Sequence, residues 1–205
     1  MTQWVEDPGG GRDRGPRGLA RAWFEVLVRP RRFFANGVAP ADQAPGLVFA
    51  VVVAFVYVAG RLAFAPETVP SVADSAVVSA AFVLGVACLL VAPLVLHLTA
   101  ALGTLGLIPL VRDRAGISET VQVIAYATAP CVFAAAPIPA VTLLATAYGA
   151  VLLVVGFAVV HRTSPIRAAA AAPLPAIVVF GFAFGGFAAA ETALGIELVG
   201  DPPEA

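Results

Sequence analysis

From residue 46 to residue 65 the chain runs through about the 20 apolar residues that a bilayer's hydrocarbon core requires, with Arg61 as its single charge. Arg61 stands about one turn from the end of that stretch, where a long stem reaches the interface near Glu67. Further apolar runs follow, and together they exclude a soluble fold. Hydrophobic residues make up 60% of the chain and charged residues only 12%, against roughly 25% charged in ordinary soluble domains. The formal charge of -1 is unsuited to nucleic-acid binding. The expected class is an all-α integral membrane bundle of five transmembrane helices, preceded by an amphipathic interfacial helix.

The segments divide as follows. Residues 1–15 read as a disordered polar tail and 16–45 as a cytoplasmic basic segment. Residues 46–190 form the membrane domain, and 191–205 an acidic tail. Within the basic segment, Pro16 suits a helix start and Pro30 a stop. A wheel over that stretch gathers Leu19, Trp23, Val26 and Leu27 on one side and Arg17, Arg21, Glu25 and Arg29 on the other, with Phe24 and Val28 as exceptions. Such a helix lies in the headgroup region, with Arg17, Arg21, Trp23, Arg29, Arg31 and Arg32 as the expected membrane-surface contacts; the alternative is a helix packed on the protein's own cytoplasmic loops.

The second span begins near Ala76, and the chain then stays apolar to Val111. As one helix this is about 54 Å long, more than a bilayer needs. Pro93 is expected to bend it, and the helix is expected to leave the core near His97 and follow the far interface. Residues 121–161 hold two spans separated by Pro137-Ile138-Pro139, and residues 174–190 hold a fifth. Five crossings put eleven of the twelve Arg on the side of the N-terminus, the Arg112 loop and the His161 loop. Under the positive-inside rule this predicts a multi-pass cell-membrane protein with its N-terminus cytoplasmic and its C-terminus outside. Arg31-Arg32-Phe33-Phe34 superficially matches a twin-arginine export signal, but the apolar region starts about a dozen residues too late and everything downstream is itself membranous.

Little inside the spans carries reaction chemistry. No Asp, Glu or Lys occurs there, which disfavours proton-coupled or ion-coupled transport. There is no paired aspartate, Ser-His pair or H-E-x-x-H, and no phosphate-cradling glycine motif. His97 and His161 lack a carboxylate or Cys partner beside them, and Cys88 and Cys131 stand alone in apolar runs. No catalytic residue, metal or cofactor is therefore expected. Gln122, Tyr126 and Thr128 on the third span and Tyr148 on the fourth are the most deeply placed polar groups and need hydrogen-bond partners in hydrocarbon. Gly181 and Gly185 form a G-x-x-x-G expected to serve helix packing, and Ala145, Gly149 and Gly156 offer a similar stripe on the fourth span.

Three segments carry a likeness to a known family. They are Pro30-Arg31-Arg32-Phe33-Phe34; Gly116-Ile117-Ser118-Glu119-Thr120 followed by Ala125-Tyr126-Ala127-Thr128-Ala129-Pro130; and Tyr148 through Gly156 to His161-Arg162-Thr163-Ser164, then Ala168 and Pro173. In that order they resemble the Yip domain family, multispan membrane proteins named for eukaryotic members that interact with Rab-type GTPases. The resemblance covers residues from about 30 to 190 and implies five spans. It marks Gln122, Tyr126, Thr128, Pro130, Tyr148, Gly156 and His161 as family-motif and polar bundle residues. The acidic D-L-Y-G-P motif of eukaryotic members is missing from the N-terminal region, so Rab binding is not carried over.

The expected function is that of a non-enzymatic membrane protein that organises lipids, or binds other membrane proteins or a second copy, through its basic N-terminal segment. The alternative is a small-solute or lipid permease with a path between the third and fourth spans, past Gln122, Tyr126 and Tyr148.

Overall fold

The computed structural model describes residues 15–196 apart from position 69, and the backbone of two short strands, Val5–Asp7 and Gly11–Asp13. These strands, β1 and β2, pair antiparallel with Val5 opposite Asp13, inside the segment read as a polar tail. The rest of that tail before Gly15, and the acidic tail from position 197 onward, lie outside the described residues. The other described residues are helical or in connecting turns.

Two helices precede the spans, α1 (Pro16–Val28) and α2 (Pro30–Gly37), each with proline in its first turn. The spans are α3 (Ala44–Phe64), α4 (Ala76–Leu107), α5 (Ile117–Ala135) and α6 (Pro139–Val160). A broken fifth segment follows: α7 (Pro165–Ala171) and α8 (Pro173–Ala183), bent by 56°, then α9 (Gly186–Leu194).

The helices differ in how much bundle surrounds them. In α5, 72% of the most apolar window is buried, against 17% in α3, 11% in α4 and 39% in α6. The most polar crossing is thus the central one, as a lipid solvent demands. Outer helices turn large side chains to the surroundings, with Val77, Leu89 and Leu94 on α4 and Leu144 on α6 all exposed. Close approach to α5 needs glycine: a Cβ on Gly46 of α3 would fall 2.8 Å from the Cα of Gln122.

Pro93 does not turn α4 onto the interface. The helix runs unbroken to Leu107, with Thr99, Ala100, Gly103 and Leu107 buried along its second half. A π turn at Ala87–Val91 absorbs the proline: Ala92 N–H reaches back five residues to the carbonyl of Ala87, and the widened turn makes room for the ring.

The fifth segment also departs from expectation. It is not one rod over 174–190, because Pro173 restarts the helix and Gly185 ends its next stretch with φ +72°. Gly181 and Gly185 therefore do not share one helical face. A Cβ on Gly181 would fall 2.4 Å from the Phe187 ring, so the pair serves this break rather than a straight helix–helix seam. Gly186, just beyond it, lets the chain pass within 2.4 Å (Cβ position to oxygen) of the Phe180 carbonyl.

Two ends of the bundle can be told apart. At one, Phe34, Val38, Asp113, Arg114, Glu119 and Arg162 share a cleft. At the other, Arg61, Pro137, Pro139 and Thr192 line a second cleft. The fifth segment leaves the first end after Arg162 and reaches the second at Thr192, so it runs from one end of the bundle to the other. Single cysteines at positions 12 and 204, in a background with Cys88 and Cys131 replaced by Ala, are expected to react with an impermeant thiol reagent from opposite sides of the membrane. Labelling of both from one side would remove the fifth crossing.

Candidate functional site

The polar residues of the third and fourth spans converge on one object, the N-terminal helix pair. Its first helix centres its buried side on smaller residues than the ones the helical wheel marks, one edge over from them. Gly18, Ala22 and Val26 form the buried stripe, with Ala22 and Val26 completely buried, while Leu19, Trp23 and Leu27 flank it partly buried. Small residues four apart let α1 approach the bundle closely. Phe24 and Val28, the exceptions on the helical wheel, are exposed.

Trp23, expected at the membrane surface, is half-buried and turned toward the bundle. Its indole N–H donates to the carbonyl of Ala129 at 2.8 Å, and its ring meets Phe133 with centroids 5.7 Å apart. Tyr148, on the fourth span, donates its hydroxyl to the carbonyl of Leu27 near the end of α1. That carbonyl belongs to the last turn of α1, where intrahelical donors run out before Pro30. Arg17, Arg21, Arg29, Arg31 and Arg32 stay exposed on the outside of the pair.

The second helix carries Phe33 and Phe34 inward. Phe33 meets the completely buried Tyr126 edge-on at 4.8 Å, and Phe49 of α3 meets the same ring at 5.0 Å. Phe34 lies against Gly156, where an added Cβ would sit 2.5 Å from Val123 and 3.0 Å from the Phe34 ring. The chain then extends past Val38, and Gln122 grips Ala39 with its whole amide. Its Nε2 donates to the Ala39 carbonyl at 2.6 Å, and its Oε1 accepts the Ala39 N–H at 2.9 Å. A buried side-chain amide thus takes the part of a neighbouring strand. Thr128 turns its hydroxyl to the carbonyl of Ala125, where α5 tightens into a 3₁₀ stretch starting at Ala129 and Pro130.

His161 closes this end of the fourth span. It is buried, its Nε2 lies 3.4 Å from the Thr120 hydroxyl, and its ring packs edge-on against Phe157. Because that hydroxyl donates to the Gly116 carbonyl at 3.1 Å, the ring nitrogen is the donor. Burial, and secondarily the charge of Arg114, pull the imidazole down to about 4. Beyond it, Arg162 N–H bonds to Val159 and Thr163 N–H to Ala158, a Schellman cap with Arg162 at φ +50° where glycine is usual. Arg162 borders a cleft of about 380 Å³ shared with Phe34, Val38, Asp113, Arg114 and Glu119.

The three sequence segments of the family likeness therefore touch one another in space: Phe33 on Tyr126, Phe34 at Gly156, Leu27 under Tyr148. The sequence also matches the Yip1 domain family over residues 24–187. The chain belongs to the Yip1 domain family. No curated protein and no solved structure matches it. The Yip1 match begins inside α1 and takes in all of α2. The docked helix pair is thus largely part of the Yip1 domain and not an appendage to it.

Sequence reasoning missed Gly18, Ala22, Ala39 and Ala129, whose roles are carried by backbone or by the lack of a side chain. The one available signal was the spacing of Gly18, Ala22 and Val26, which is that of a close-packing helix face.

Replacing Gln122 by Leu leaves the Ala39 N–H unpaired and its carbonyl with only the long bond from the Asp42 N–H at 3.4 Å, at about 1–3 kcal/mol for a buried group left unpaired. Trypsin is then expected to cut after Arg31 and Arg32 about tenfold faster than in the parent; an unchanged rate would show that this amide does not hold the segment. His161 gives a pH signature. Its imidazole binds its proton more weakly in the folded chain (about 4) than in the unfolded one (about 6.5), so unfolding takes up a proton between those values. Stability is therefore complete above about 6.5 and declines as the pH falls towards 4. Melting in detergent at pH 7.5 and pH 5 is expected to show this drop, and His161→Gln to reduce it; an equal drop in the variant would assign it to other groups.

Proposed function

We propose that this Yip1-domain protein is a non-enzymatic organiser of membrane lipid, seated in the cell membrane with its N-terminus in the cytoplasm and its C-terminus outside. The observation that carries the reading is the clamping of α1 and α2 to the third and fourth spans with Arg17, Arg29, Arg31 and Arg32 all directed outward. Guanidinium groups bind phosphate oxygens in a fork, so a row of them on a membrane-bound helix pair favours anionic phospholipid. Partner membrane proteins, or a second copy, are the other occupants of that face. The orientation rests on the Arg-rich loops, which the positive-inside rule places in the cytoplasm.

The packing counts against a permease path between the third and fourth spans. Gln122 is taken up by Ala39, Tyr148 by Leu27, and the Tyr126 ring is enclosed by Phe33 and Phe49. The buried hydroxyls of Thr128 and Thr146 are likewise spent on backbone carbonyls of their own helices, which supports an architectural role for these groups.

Purified in mild detergent from membranes of mixed composition, the full chain is expected to retain anionic phospholipid in excess over its share of the membrane. Replacing Arg17, Arg29, Arg31 and Arg32 together by Gln is expected to abolish that excess. Bound lipid that mirrors the bulk membrane in the parent protein would refute the lipid reading.

A further inference from the structure

The helix pair places its charges at an unusual depth. Helix α6 is about 33 Å long, enough to reach both faces of the hydrocarbon core. Tyr148, which holds Leu27, stands about 18 Å along it from the end at Val160, close to the middle. Gly156, which receives Phe34, is about 6 Å from that same end. The second anchor agrees: Ala129, which binds Trp23, lies about 18 Å along α5 from Ile117. Residues 23–34 thus climb from mid-depth to near the surface, and Arg29, Arg31 and Arg32 fall within that stretch, exposed. Arg17 and Arg21 are exposed on the part of α1 that precedes it, beside the deeper anchor.

Arginine at such a depth is not accommodated by undisturbed hydrocarbon. It is accommodated by thinning of the bilayer and by water and phosphate drawn inward. From Ala129 to Ala135, where α5 is a 3₁₀ helix rising about 2 Å per residue, only about 12 Å of span separates the deep anchor from the opposite end. The apolar barrier beside this face is then less than half of a normal core of about 30 Å.

We propose that the arginine-bearing face of α1 and α2 is a lateral path along which phospholipid headgroups cross the membrane passively, phosphate first, while their acyl chains stay in the surrounding lipid. The proposal rests on the reading that these arginines contact phospholipid and adds an activity to it. The path runs outside the bundle, over the helix pair, and needs no opening between the third and fourth spans. No energy source enters, so lipid moves in both directions and only towards equal distribution.

The test uses the full chain reconstituted into vesicles of neutral phosphatidylcholine with a trace of a headgroup-labelled fluorescent phosphatidylethanolamine. Dithionite added outside bleaches only the outer leaflet of protein-free vesicles. With the protein, the inner pool is expected to bleach as well, and Arg17→Gln, Arg21→Gln and Arg29→Gln combined to slow that phase about tenfold or more. Lys at the same three positions is expected to keep most of the rate. An inner pool that stays protected with the parent protein, or an undiminished rate in the Gln variant, would overturn the proposal. Because the Gln variant could lose its fold, Arg29→Cys in the Cys88→Ala, Cys131→Ala background supplies a second measurement. It is expected to react with a water-soluble maleimide as fast as a cysteine at Asp113, and failure to react would likewise overturn the path. Retention of anionic lipid without bleaching of the inner pool would remove this activity alone, whereas loss of both would strike the lipid reading beneath it.

Discussion

Polar groups in hydrocarbon must be satisfied within the protein, and the architecture follows from how that condition is met around the third span. Helix α5 brings Gln122, Tyr126 and Thr128 into the membrane. None of them is exposed to lipid, because α3 covers one side, α4 and α6 cover others, and the N-terminal pair closes what remains. A solvent that offers no hydrogen bonds thus dictates both the central position of the most polar helix and the docking of a segment that, in sequence, looks like a peripheral anchor.

The same condition explains why a glutamine serves at position 122. The chain leaving α2 is extended at Val38, so the Ala39 N–H lacks a partner in its own segment and the Ala39 carbonyl has there only the long 3.4 Å bond from the Asp42 N–H. A side-chain amide offers one donor and one acceptor on the same plane and satisfies both. Where helices are interrupted, other devices keep the backbone paired. A π turn precedes Pro93, a 3₁₀ stretch follows Thr128, and a left-handed arginine caps the fourth span. Each lies where proline or a helix end would otherwise strand a carbonyl or an N–H.

Docking the pair also creates the molecule's chief electrostatic tension. The contacts that bury Ala22, Val26, Phe33 and Phe34 are the ones that present Arg17, Arg29, Arg31 and Arg32 outward along the same helices. Burial of the apolar side is favourable in any position. The charged side is tolerable only where phosphate or water reaches it. That conflict supports the proposed lipid-directed role more directly than any single residue does.

Much of the architecture was legible in order along the chain. The apolar runs marked the four long helices and the bent fifth segment, Pro137 and Pro139 marked the turn between the third and fourth, and Pro16 and Pro30 bounded α1 within a residue. These features are local: length against bilayer thickness, and proline's missing N–H, act wherever the residue stands. Which face of α1 is buried was not local, because Gly18 and Ala22 matter only through the surface that approaches them. The course of α4 past Pro93, and the loss of the Gly181 and Gly185 seam to a break, were likewise decided by neighbours: a widened turn that another helix packs against, and a phenylalanine laid over a glycine. The amino-acid sequence by itself determined that this chain must live in lipid and where its long apolar helices lie. Only the tertiary structure decided that its basic N-terminal helix lies against the bundle, since that rests on hydrogen bonds to the backbone of Ala39, Leu27 and Ala129, which no pattern of side chains records.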